Sequence, residues 1–420
     1  MTLSEELTWR GFINQTTIEN LADLDEKKLK FYHGYDASAD SLTVGNLAAI
    51  MMDKVFVRHG QQAFILAGGA TSLIGDPGGK DSERPLQSAE TINSNIAAVR
   101  YQIEQLFDGQ ATMVNNLDWF KDINVLEFLR DTGKYFSMTP LVQRDYIARR
   151  IGEGGTGITY TEFSYTLLQG YDFLHLFREH GVTLQLAGSD QWGNSLSGVE
   201  LLRRAEGQEV HVLTCPLIIN KATGKKFGKS EDGAVWLDPT KTSPYKFYQF
   251  WLNSDDEGVE GYLKVFTELD KESIDAVMKD FNDNKGGRKA QKTLAYEITK
   301  LIHGEEQAKR QEKIATALFG NDDKLDLNSE DFDVLAKELP TATTDKKITM
   351  DTLASVLVTL ELASSKTEAR RFITNGAIYI NNVKVSDTDV TPDVTLYDGQ
   401  SNKAVVLRRG KNKTAILKLV

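Results

Sequence analysis

The sequence predicts an α/β protein whose first half forms a Rossmann-like, doubly wound parallel sheet. Short apolar runs alternate with helical periodicities as far as about residue 220, and glycine-rich or polar loops follow several of the apolar runs. After Asn220 the alternation gives way to a long helical pattern and then to a small α/β pattern. A chain of 420 residues is too long for one hydrophobic core, so we expect several domains.

The first predicted domain, residues 1–220, opens with a charged, helical lead-in. Its strand-like runs are Lys30–Tyr35, Ala63–Ala67, Ala111–Asn115, Leu184–Ala187 and His211–Ile219. Its helical runs are Leu47–His59, Ala89–Leu106, Val125–Asp131, Thr161–His180 and Trp192–Glu206. Strands that alternate with helices in this way indicate a parallel sheet covered on both faces.

The remaining chain is predicted to form three segments. Residues 221–320 begin with a basic loop and continue, from Pro244, as a helical domain. Residues 321–347 are acidic, contain Pro340 and show weak periodicity, which is typical of a linker. Residues 348–420 form a small α/β module that ends in two strand-like runs.

Composition narrows the class of protein. The net charge of −11 disfavours nonspecific nucleic-acid binding by the whole surface. Residues 351–420, however, hold ten Lys or Arg and seven Asp or Glu, a net of +3. The start of the chain lacks a signal-peptide pattern and no run is apolar enough to span a membrane, so we expect a cytoplasmic protein without membrane association.

Cysteine and histidine usage predicts no protein-held metal. The single cysteine, Cys215, lies in an apolar run and is expected to be a buried thiol. The six histidines do not cluster at ligand spacings, and His175 and His180 are five residues apart, which puts them on different helix faces.

One helix combines polar residues on a single face with a polar loop that follows the next strand. Tyr165, Gln169 and Asp172 stand at i, i+4 and i+7 within Thr161–His180. Alone, such a triplet is more often a solvated stripe than part of a site. The strand Leu184–Ala187 is followed at once by Gly188–Asn194, and loops at the carboxyl ends of parallel strands bind ligands. Helix and loop are therefore expected to line one pocket.

Two further loops could meet phosphate. The glycine-rich loop that starts at Gly68 is not a P-loop, because Asp81 rather than Ser or Thr follows Lys80, and no G-x-G-x-x-G follows the first strand. Lys80 and Arg84 lie just beyond it and are either solvated or near the ligand. Lys226 and Lys229 flank a glycine in KFGKS, which is either an exposed basic loop or a mobile phosphate clamp.

Taken together, these segments resemble the bacterial tyrosyl-tRNA synthetases, a family of class I aminoacyl-tRNA synthetases. KFGKS is similar to the KMSKS motif of that class, and residues 36–46 match the region of its HIGH motif. The runs SDQWGN, LIGDP and FSYTLLQGYDF are close to the corresponding sequences of the family, and the resemblance extends from about Leu29 to Val420. It implies a tyrosine–tRNA ligase that uses L-tyrosine, ATP with Mg²⁺, and tRNA(Tyr), as a homodimer.

The resemblance also implies roles for individual residues. Those matched to tyrosine binding are Tyr32 and Asp172 at the phenol, Tyr165, Gln169 and Asp76 at the ammonium group, and Gln185 and Gln191 as pocket amides. Those matched to ATP binding are Asp36, Thr43, Gly45, Asn46, Asp190, Lys226, Lys229 and Ser230, with Asp190 at the ribose. Those matched to catalysis are Lys80, Arg84, Thr43, Asn46, Lys226 and Lys229.

The chain departs from the family at the HIGH position. It has Thr43-Val44-Gly45-Asn46, so both imidazoles are missing, although Thr43 and Asn46 retain neutral hydrogen-bond donors. His33 also stands where many relatives have a cysteine near the nucleotide ribose. We expect these changes to affect rate and affinity rather than the reaction itself.

The carboxyl-terminal module resembles an S4-type RNA-binding domain. Lys366, Arg370 and Arg371 form one cationic side of its characteristic helix and are the expected RNA contacts; the alternative is a solvated helix face.

Two other functions remain open at this point. One is a tryptophanyl enzyme of the same subclass, which Asp172 opposite Tyr32 disfavours; the other is a synthetase-like RNA-binding protein without catalytic activity.

Overall fold

A computed structural model of the chain gives the arrangement of most of these segments. It describes residues 1–76, 78, 87–220, 224, 227–230, 233–319, 325–344, 350–385, 403–410 and 413–419. The chain forms two units: unit 1 comprises Met1–Thr242 and Ser254–Leu294, and unit 2 comprises Ser243–Asn253 and Ala295–Val420. This division does not coincide with the predicted domain bounds at residues 220, 320 and 347.

The first 242 residues hold eleven helices and eight strands within the described part. The strands are β1 (Gln15–Thr16), β2 (Lys30–Tyr35), β3 (Gln62–Ala67), β4 (Ala111–Asn115), β5 (Leu184–Gly188), β6 (His211–Cys215), β7 (Lys229–Ser230) and β8 (Gly233–Ala234). The helices are α1 (Leu3–Arg10), α2 (Asp23–Glu26), α3 (Val44–Arg58), α4 (Thr71–Ile74), α5 (Ala89–Leu106), α6 (Leu117–Phe120), α7 (Val125–Asp131), α8 (Met138–Val142), α9 (Asp145–Ile151), α10 (Tyr160–His180) and α11 (Trp192–Glu206).

The rest of the chain is mainly helical. Its helices are α12 (Pro244–Leu252), α13 (Val259–Phe266), α14 (Lys271–Asp283), α15 (Lys289–His303), α16 (Glu305–Phe319), α17 (Ser329–Glu338), α18 (Met350–Thr359) and α19 (Lys366–Thr374). Its strands are β9 (Thr341–Thr344), β10 (Ile378–Ile380), β11 (Val383–Lys384), β12 (Lys403–Arg409) and β13 (Lys413–Leu419). None of the helices in the described ranges combines the length and apolarity that a membrane span requires.

The sheet of unit 1 has the strand order β1-β6-β5-β2-β3-β4. Its pairs are parallel except for the edge pair of β1 with β6. The order reverses between β2 and β5, which pair in parallel with Tyr32 opposite Gln185. In doubly wound sheets ligands bind beside such a reversal, at the carboxyl ends of the strands. The predicted fold class is confirmed.

Helix α10 is fixed at both ends by its own sequence. Thr159 accepts a hydrogen bond from the Glu162 backbone N–H, and the Glu162 carboxylate accepts one from the Thr159 N–H, which completes a capping box. Gly181 ends the helix in the left-handed conformation, with a φ of 68°. Between these ends, Phe173, Leu174 and Leu176 pack into the sheet with other core residues. The polar face is thereby held in one orientation.

Several elements of unit 1 differ from the sequence prediction, most of them by a single residue at one end. Helix α3 begins at Val44 rather than Leu47, because Thr43 and Asn46 form its amino-terminal cap. Strand β6 ends at Cys215 rather than Ile219; Pro216 follows, and proline has no N–H for a sheet ladder. Strand β1 was not predicted, since two residues are too few to show an alternating pattern.

Unit 2 contains a second sheet, of order β11-β10-β12-β13-β9. Its pairs are antiparallel except for β13 with β9. The prediction of a linker at residues 321–347 is wrong for part of that range, because the range contains α17 and the edge strand β9. β9 has the sequence TATT, so no large apolar residue marked it as a strand. Phe332 and Leu335 of α17 lie in a core cluster with Val406 and Ile416 of the same sheet.

Candidate active site

A cavity of about 480 Å³ lies at the carboxyl ends of β2 and β5, entirely within unit 1. It brings together twelve of the predicted site residues: Tyr32, Asp36, Thr43, Gly45, Asn46, Asp76, Tyr165, Gln169, Asp172, Gln185, Asp190 and Gln191. They come from two strands, two helices and the loops between them, so their convergence depends on the topology. Tyr165, Gln169 and Asp172 do share one face of α10.

The carboxyl group of Asp172 is buried in the cavity. It accepts hydrogen bonds from Asn116 Nδ2 at 3.1 Å and from Trp119 Nε1 at 3.0 Å. Burial raises its pKa to about 8, although those two donors act in the opposite direction. The nearby Tyr32 phenol is also fully buried, and burial together with the Asp172 charge raises the pKa of Tyr32 well above 10. Tyr32 is therefore a neutral hydrogen-bond donor beside Asp172, whose orientation is fixed by Asn116 and Trp119.

A second polar group surrounds Tyr165. Its hydroxyl donates to Asp36 Oδ2 at 2.9 Å. Burial first, and then the charges of Asp36 and Asp76, raise the pKa of Tyr165 well above its usual value. On the opposite side, Gln191 Nε2 donates to Asp76 Oδ2 at 2.8 Å. Tyr165, in the second turn of α10, thus lies beside two carboxylates that the sequence separates by 40 positions.

Five residues that line the cavity have a buried polar atom without a hydrogen-bond partner in the described part of the chain. These atoms are the hydroxyls of Tyr32 and Tyr35, Asp53 Oδ1, Gln169 Oε1 and Gln185 Oε1. Buried polar groups are normally paired, and leaving one unpaired costs about 1–3 kcal/mol. Several such atoms around one cavity indicate a ligand with several polar groups.

The mouth of the cavity includes the amino terminus of α3. Thr43 Oγ1 donates to Asn46 Oδ1 at 2.7 Å, and the Thr43 N–H donates to the same oxygen at 3.0 Å. The two side chains that were predicted as nucleotide donors therefore bond to each other. The Thr43 hydroxyl already donates its proton within this cap. The Asn46 amide nitrogen, in contrast, has no hydrogen-bond partner among the described residues.

Glycines keep the loop after β3 close to the site. A Cβ at Gly68 would collide with Thr71 Oγ1 and Asp36 Oδ1, and one at Gly69 would collide with Asn115 Oδ1. The first two glycines of the glycine-rich loop thus allow close packing against the strand ends. Residues 77 and 79–86, which include Lys80 and Arg84, lie outside the described residues.

Comparison with known proteins identifies the family of the chain that forms this cavity. A family profile described as tRNA synthetases class I (W and Y) matches residues 24–320. A second profile, the tyrosine–tRNA ligase SYY-like C-terminal domain, matches residues 331–417. Tyrosine–tRNA ligase 2 of Bacillus thuringiensis subsp. konkukian is 45% identical over 427 residues, which cover 100% of both chains. The chain belongs to the tyrosyl-tRNA synthetase family.

Other relatives agree with this assignment. Tyrosine–tRNA ligase 1 of Streptococcus thermophilus is 44% identical over 99% of this chain and 100% of its own. Among solved structures, a C-terminally truncated mitochondrial tyrosyl-tRNA synthetase of Aspergillus nidulans is 31% identical, with a TM-score of 0.66, over 74% of this chain and 92% of its own. The synthetase of Archaeoglobus fulgidus, complexed with L-tyrosine, has a TM-score of 0.53 at 17% identity and shows a shared fold. The predicted family is confirmed.

Not every predicted site residue of this synthetase can be placed. Lys80, Arg84 and Lys226 lie outside the described residues. Lys229 and Ser230 form strand β7, of which the backbone alone is described. In unit 2, Arg370 pairs with Asp351 at 2.6 Å and Arg371 lies 3.8 Å from Glu368, while Lys366 begins α19. The roles of all these residues stay predictions.

Sequence reasoning missed three residues at this site: Asn116, Trp119 and Asp53. Asn116 and Trp119 donate hydrogen bonds to Asp172. The sequence signal for them was the polar Asn115-Asn116 step at the end of a predicted strand, where side chains also reach the ligand edge of the sheet. Asp53 pairs with His33, which the sequence analysis had named; His33 Nδ1 and Asp53 Oδ2 lie 2.6 Å apart. Asp53 lies in the middle of a helix with an apolar pattern, and a single buried carboxylate there gave no signal.

Proposed function

We propose that the cavity of unit 1 activates L-tyrosine with ATP and then transfers the tyrosyl group to tRNA(Tyr). Tyrosine–tRNA ligase activity is that of the family to which the full length of the chain belongs. What the comparisons leave to be proposed is which side chain performs which step. Protein synthesis takes place in the cytoplasm, which we infer to be its compartment.

The observation that carries the proposal is the set of unpaired polar atoms at Tyr32, Gln169 and Gln185, in a cavity that Asp172 and Asp76 also line. Tyrosine has a phenol at one end and an ammonium group at the other. The Tyr32 hydroxyl lies near Asp172, and Gln169 lies on α10 between Asp172 and Tyr165. A ligand with polar groups at both ends, and an apolar ring between them, satisfies this arrangement.

The phenol end sets specificity. A substrate hydroxyl can bond to the Asp172 carboxyl group and accept from Tyr32, whereas phenylalanine leaves the Tyr32 hydroxyl without a partner and Asp172 with Asn116 and Trp119 alone. Sites built for a hydroxyl reject the analogue that lacks it by about 10⁴–10⁵, and the tyrosyl enzymes are themselves the case from which that figure comes. We infer that this cavity needs no separate editing site.

The ammonium end is acidic. Asp76 and Asp36 both line the cavity beside Tyr165, and Gln191 fixes the orientation of Asp76. A cation placed between these groups gains charge-assisted hydrogen bonds, which are stronger than neutral ones. Gln169 Oε1 and Gln185 Oε1 supply two more acceptors in the same cavity. This end therefore selects a free α-amino group.

Activation needs positioning more than a protein nucleophile. The tyrosine carboxylate, already ionised, attacks the α-phosphorus of ATP, and pyrophosphate leaves with the electron pair of the broken P–O bond. The protein contributes by aligning the two reactants and by stabilising the developing phosphate charge. We assign the charge stabilisation to Lys80, Arg84, Lys226 and Lys229, with Mg²⁺ entering as part of the ATP substrate, and we assign the ribose to Asp190.

Transfer to tRNA and dimer formation complete the proposal. A ribose hydroxyl at the tRNA 3′ end attacks the tyrosyl carbonyl and releases AMP.

Six of the large apolar side chains that are exposed on the described surface lie between residues 125 and 160: Val125, Leu126, Leu129, Met138, Ile151 and Tyr160. Exposed apolar patches mark interfaces. We infer that this segment meets a second copy of the chain.

The test is amino-acid-dependent exchange of pyrophosphate into ATP. The wild-type protein is expected to exchange with tyrosine and not with phenylalanine or tryptophan, and Lys229→Ala is expected to slow that exchange. Absence of exchange with every amino acid, together with retained tRNA binding, would identify an RNA-binding protein instead. Exchange with tryptophan in place of tyrosine would reassign the cavity to the tryptophanyl enzymes.

A further inference from the structure

Arg144 joins α10 to α11 from outside the cavity. It lies in the short connection between α8 and α9 and is not among the described residues that line the cavity. Its guanidinium donates hydrogen bonds to Thr166 Oγ1 on α10 at 3.2 Å, to Asn194 Oδ1 on α11 at 3.2 Å, and to Ser197 Oγ on the same helix. All three of these acceptor residues are buried. The charged end of Arg144 is thus held in one place by three side chains of two helices.

Asn194 continues this set of hydrogen bonds to the acidic end of the cavity. Asn194 Nδ2 donates to Gln191 Oε1 at 3.3 Å and lies 3.5 Å from Asp76 Oδ1. Gln191 Nε2 in turn donates to Asp76 Oδ2 at 2.8 Å. Asp76 is 6% exposed, and hydrogen bonds to a carboxylate are stronger in such a buried environment than in water. One buried amide therefore connects Arg144 to two residues that line this end of the cavity.

The guanidinium sets the direction of each of these hydrogen bonds. A guanidinium has donors and no acceptor, so Asn194 must turn its amide oxygen toward Arg144. The amide nitrogen of Asn194 then faces Asp76 and Gln191. Thr166 supports the same orientation, since its oxygen accepts from Arg144 and its hydroxyl donates to Asn194 Oδ1 at 2.9 Å. Because Gln191 Oε1 receives the Asn194 N–H, the Gln191 nitrogen is the atom that donates to Asp76.

A reversed Asn194 amide would disturb the ammonium end of the cavity. Its oxygen would face the Asp76 carboxylate, and two acceptors without a hydrogen between them repel each other. Gln191 Oε1 would lose the Asn194 donor, so the Gln191 amide could also turn. The substrate ammonium group would then meet a carboxylate that two fewer donors hold in place. Binding groups must be held closely to their productive geometry, so this loss of orientation weakens binding.

We infer that Arg144 is a positioning residue for the ammonium end of the tyrosine pocket: through Asn194 it orients the Asp76 carboxylate that accepts the α-ammonium group of tyrosine. Arg144 itself does not touch the substrate. This inference rests on the proposed function, because it takes the ligand of the cavity to be tyrosine with its ammonium group at Asp76. An ionised carboxylate has more acceptor positions than Asn194 and Gln191 occupy, so it can also receive the N–H groups of the substrate.

Two analogues of tyrosine separate its ammonium group from its carboxylate. Tyramine keeps the phenol and the ammonium group, whereas 3-(4-hydroxyphenyl)propionate keeps the phenol and the carboxylate. Both are measured as competitive inhibitors of tyrosine-dependent pyrophosphate exchange by the full chain. Together with the KM for tyrosine, their inhibition constants show which end of the substrate a substitution affects.

Arg144→Gln is the main variant, because glutamine can accept as well as donate and no longer forces the Asn194 amide into one orientation. We expect the KM for tyrosine and the inhibition constant of tyramine to rise by about tenfold, the effect of weakened hydrogen bonds to a charged group. The inhibition constant of 3-(4-hydroxyphenyl)propionate and the KM for ATP should equal those of the wild type. Arg144→Lys, which again has donors and no acceptor, is expected to recover most of the loss.

Arg178→Gln is the matched control for the packing of the two helices. Arg178 also joins α10 to α11, by a hydrogen bond of 2.9 Å to Glu206, and it lies near the carboxyl end of α10, away from Thr166. This control is expected to leave all four constants unchanged. Thr166→Val is the second test variant, because it removes the other donor to Asn194 Oδ1. It should change the constants in the same direction as Arg144→Gln, by about threefold, and it carries the test if Arg144→Gln does not fold.

The outcomes separate this inference from the proposed function. A wild-type protein without tyrosine-dependent exchange contradicts the function itself. If the wild type exchanges normally, equal weakening of tyrosine and 3-(4-hydroxyphenyl)propionate by Arg144→Gln overturns the inference, since the effect is then not confined to the ammonium end. Unchanged constants in Arg144→Gln overturn it as well, and so does a loss of the same size in Arg178→Gln. A loss that is confined to tyrosine and tyramine, and that Arg144→Lys reverses, supports it.

Discussion

Trp119 Nε1 donates a hydrogen bond to Asp172 Oδ1 at 3.0 Å, which ties the carboxylate on α10 to a residue just after β4. The same indole stacks on His175, with 4.3 Å between ring centroids, so its orientation is fixed from the side. Asn116 holds the other oxygen. The orientation of the carboxylate is therefore set from outside the helix that carries it.

Replacement of Trp119 by Phe should weaken tyrosine binding. The change keeps an aromatic ring on His175 but removes one of the two donors to a buried carboxylate, which costs about 1.5–3 kcal/mol. We expect the KM for tyrosine in pyrophosphate exchange to rise by about tenfold or more, with the KM for ATP unchanged. Trp9→Phe, whose ring lies under Arg10 and Lys264 away from the cavity, is the control. An unchanged KM for tyrosine would show that Asn116 alone suffices.

Tyr32→Phe should lower discrimination against phenylalanine more than it lowers activity with tyrosine. In the variant one hydrogen bond to the substrate phenol is lost, while phenylalanine no longer leaves the Tyr32 hydroxyl unpaired. The ratio of kcat/KM for the two amino acids is therefore expected to fall by about tenfold. Asp172→Ala is expected to lower it further. A ratio equal to that of the wild type in both variants would move phenol recognition elsewhere.

The raised pKa of Asp172 predicts a specific dependence of stability on pH. Burial raises this pKa from 3.8 to about 8, so the folded protein binds a proton there that the unfolded chain releases above about pH 4. The contribution of Asp172 to the free energy of unfolding thus falls as pH rises from about 4 to about 8, by at most about 1.4 kcal/mol per pH unit. Asp172→Asn removes this titration. Thermal or urea unfolding of both proteins should give curves that converge at the acidic end; parallel curves would contradict the raised pKa.

Much of this site could be predicted because its residues follow regular elements. The spacing of Tyr165, Gln169 and Asp172 reveals one helix face, and the position of Asp190 and Gln191 after a buried strand reveals the ligand edge. These inferences need only the geometry of one helix and one strand. The resemblance to known sequences then gave each residue a role.

The residues that were missed depend on long-range packing. Asn116 reaches Asp172, and His33 reaches Asp53, only because the sheet places β4 beside β3 and α3 over β2. No local pattern encodes those contacts. The same holds for β9, whose threonines form a strand because β13 offers an open edge. Thr43 shows a third case, since its use as a helix cap was hidden by its match to a catalytic motif.

The cationic helix of unit 2 provides a prediction for the second step. Lys366→Ala with Arg371→Ala should raise the KM for tRNA in aminoacylation and reduce the slope of log affinity against log salt by about one for each lost phosphate contact. Arg370 pairs with Asp351, so its replacement is expected to have a smaller effect. Tyrosine-dependent exchange, which uses no tRNA, is the control reaction. An unchanged KM for tRNA would assign these side chains to the solvated face.

The buried pair of Arg150 and Glu162 should govern the stability of the start of α10. The guanidinium donates to both carboxylate oxygens, at 2.6 and 2.9 Å, with side chains 5% and 2% exposed. Burial by itself raises the pKa of Glu162, but the bonds from Arg150 and Thr159 outweigh it and lower the pKa below 4.5. The stabilisation is therefore complete above about pH 4.5 and is lost as pH falls through the lower folded-state pKa.

Breaking this pair on one side should cost about 3–5 kcal/mol in the free energy of unfolding, because the remaining charge is left buried. Glu162→Gln and Arg150→Met are the single variants, and urea unfolding is the measurement. The double variant Arg150→Met with Glu162→Leu removes both charges and is expected to recover most of the loss. Since Tyr165 lies one turn further along α10, the single variants should also raise the KM for tyrosine, and the double variant should restore it. A double variant as unstable as the sum of the singles would mean that the hydrogen bonds to Thr159 and Gly157, rather than the ion pair, hold the start of the helix.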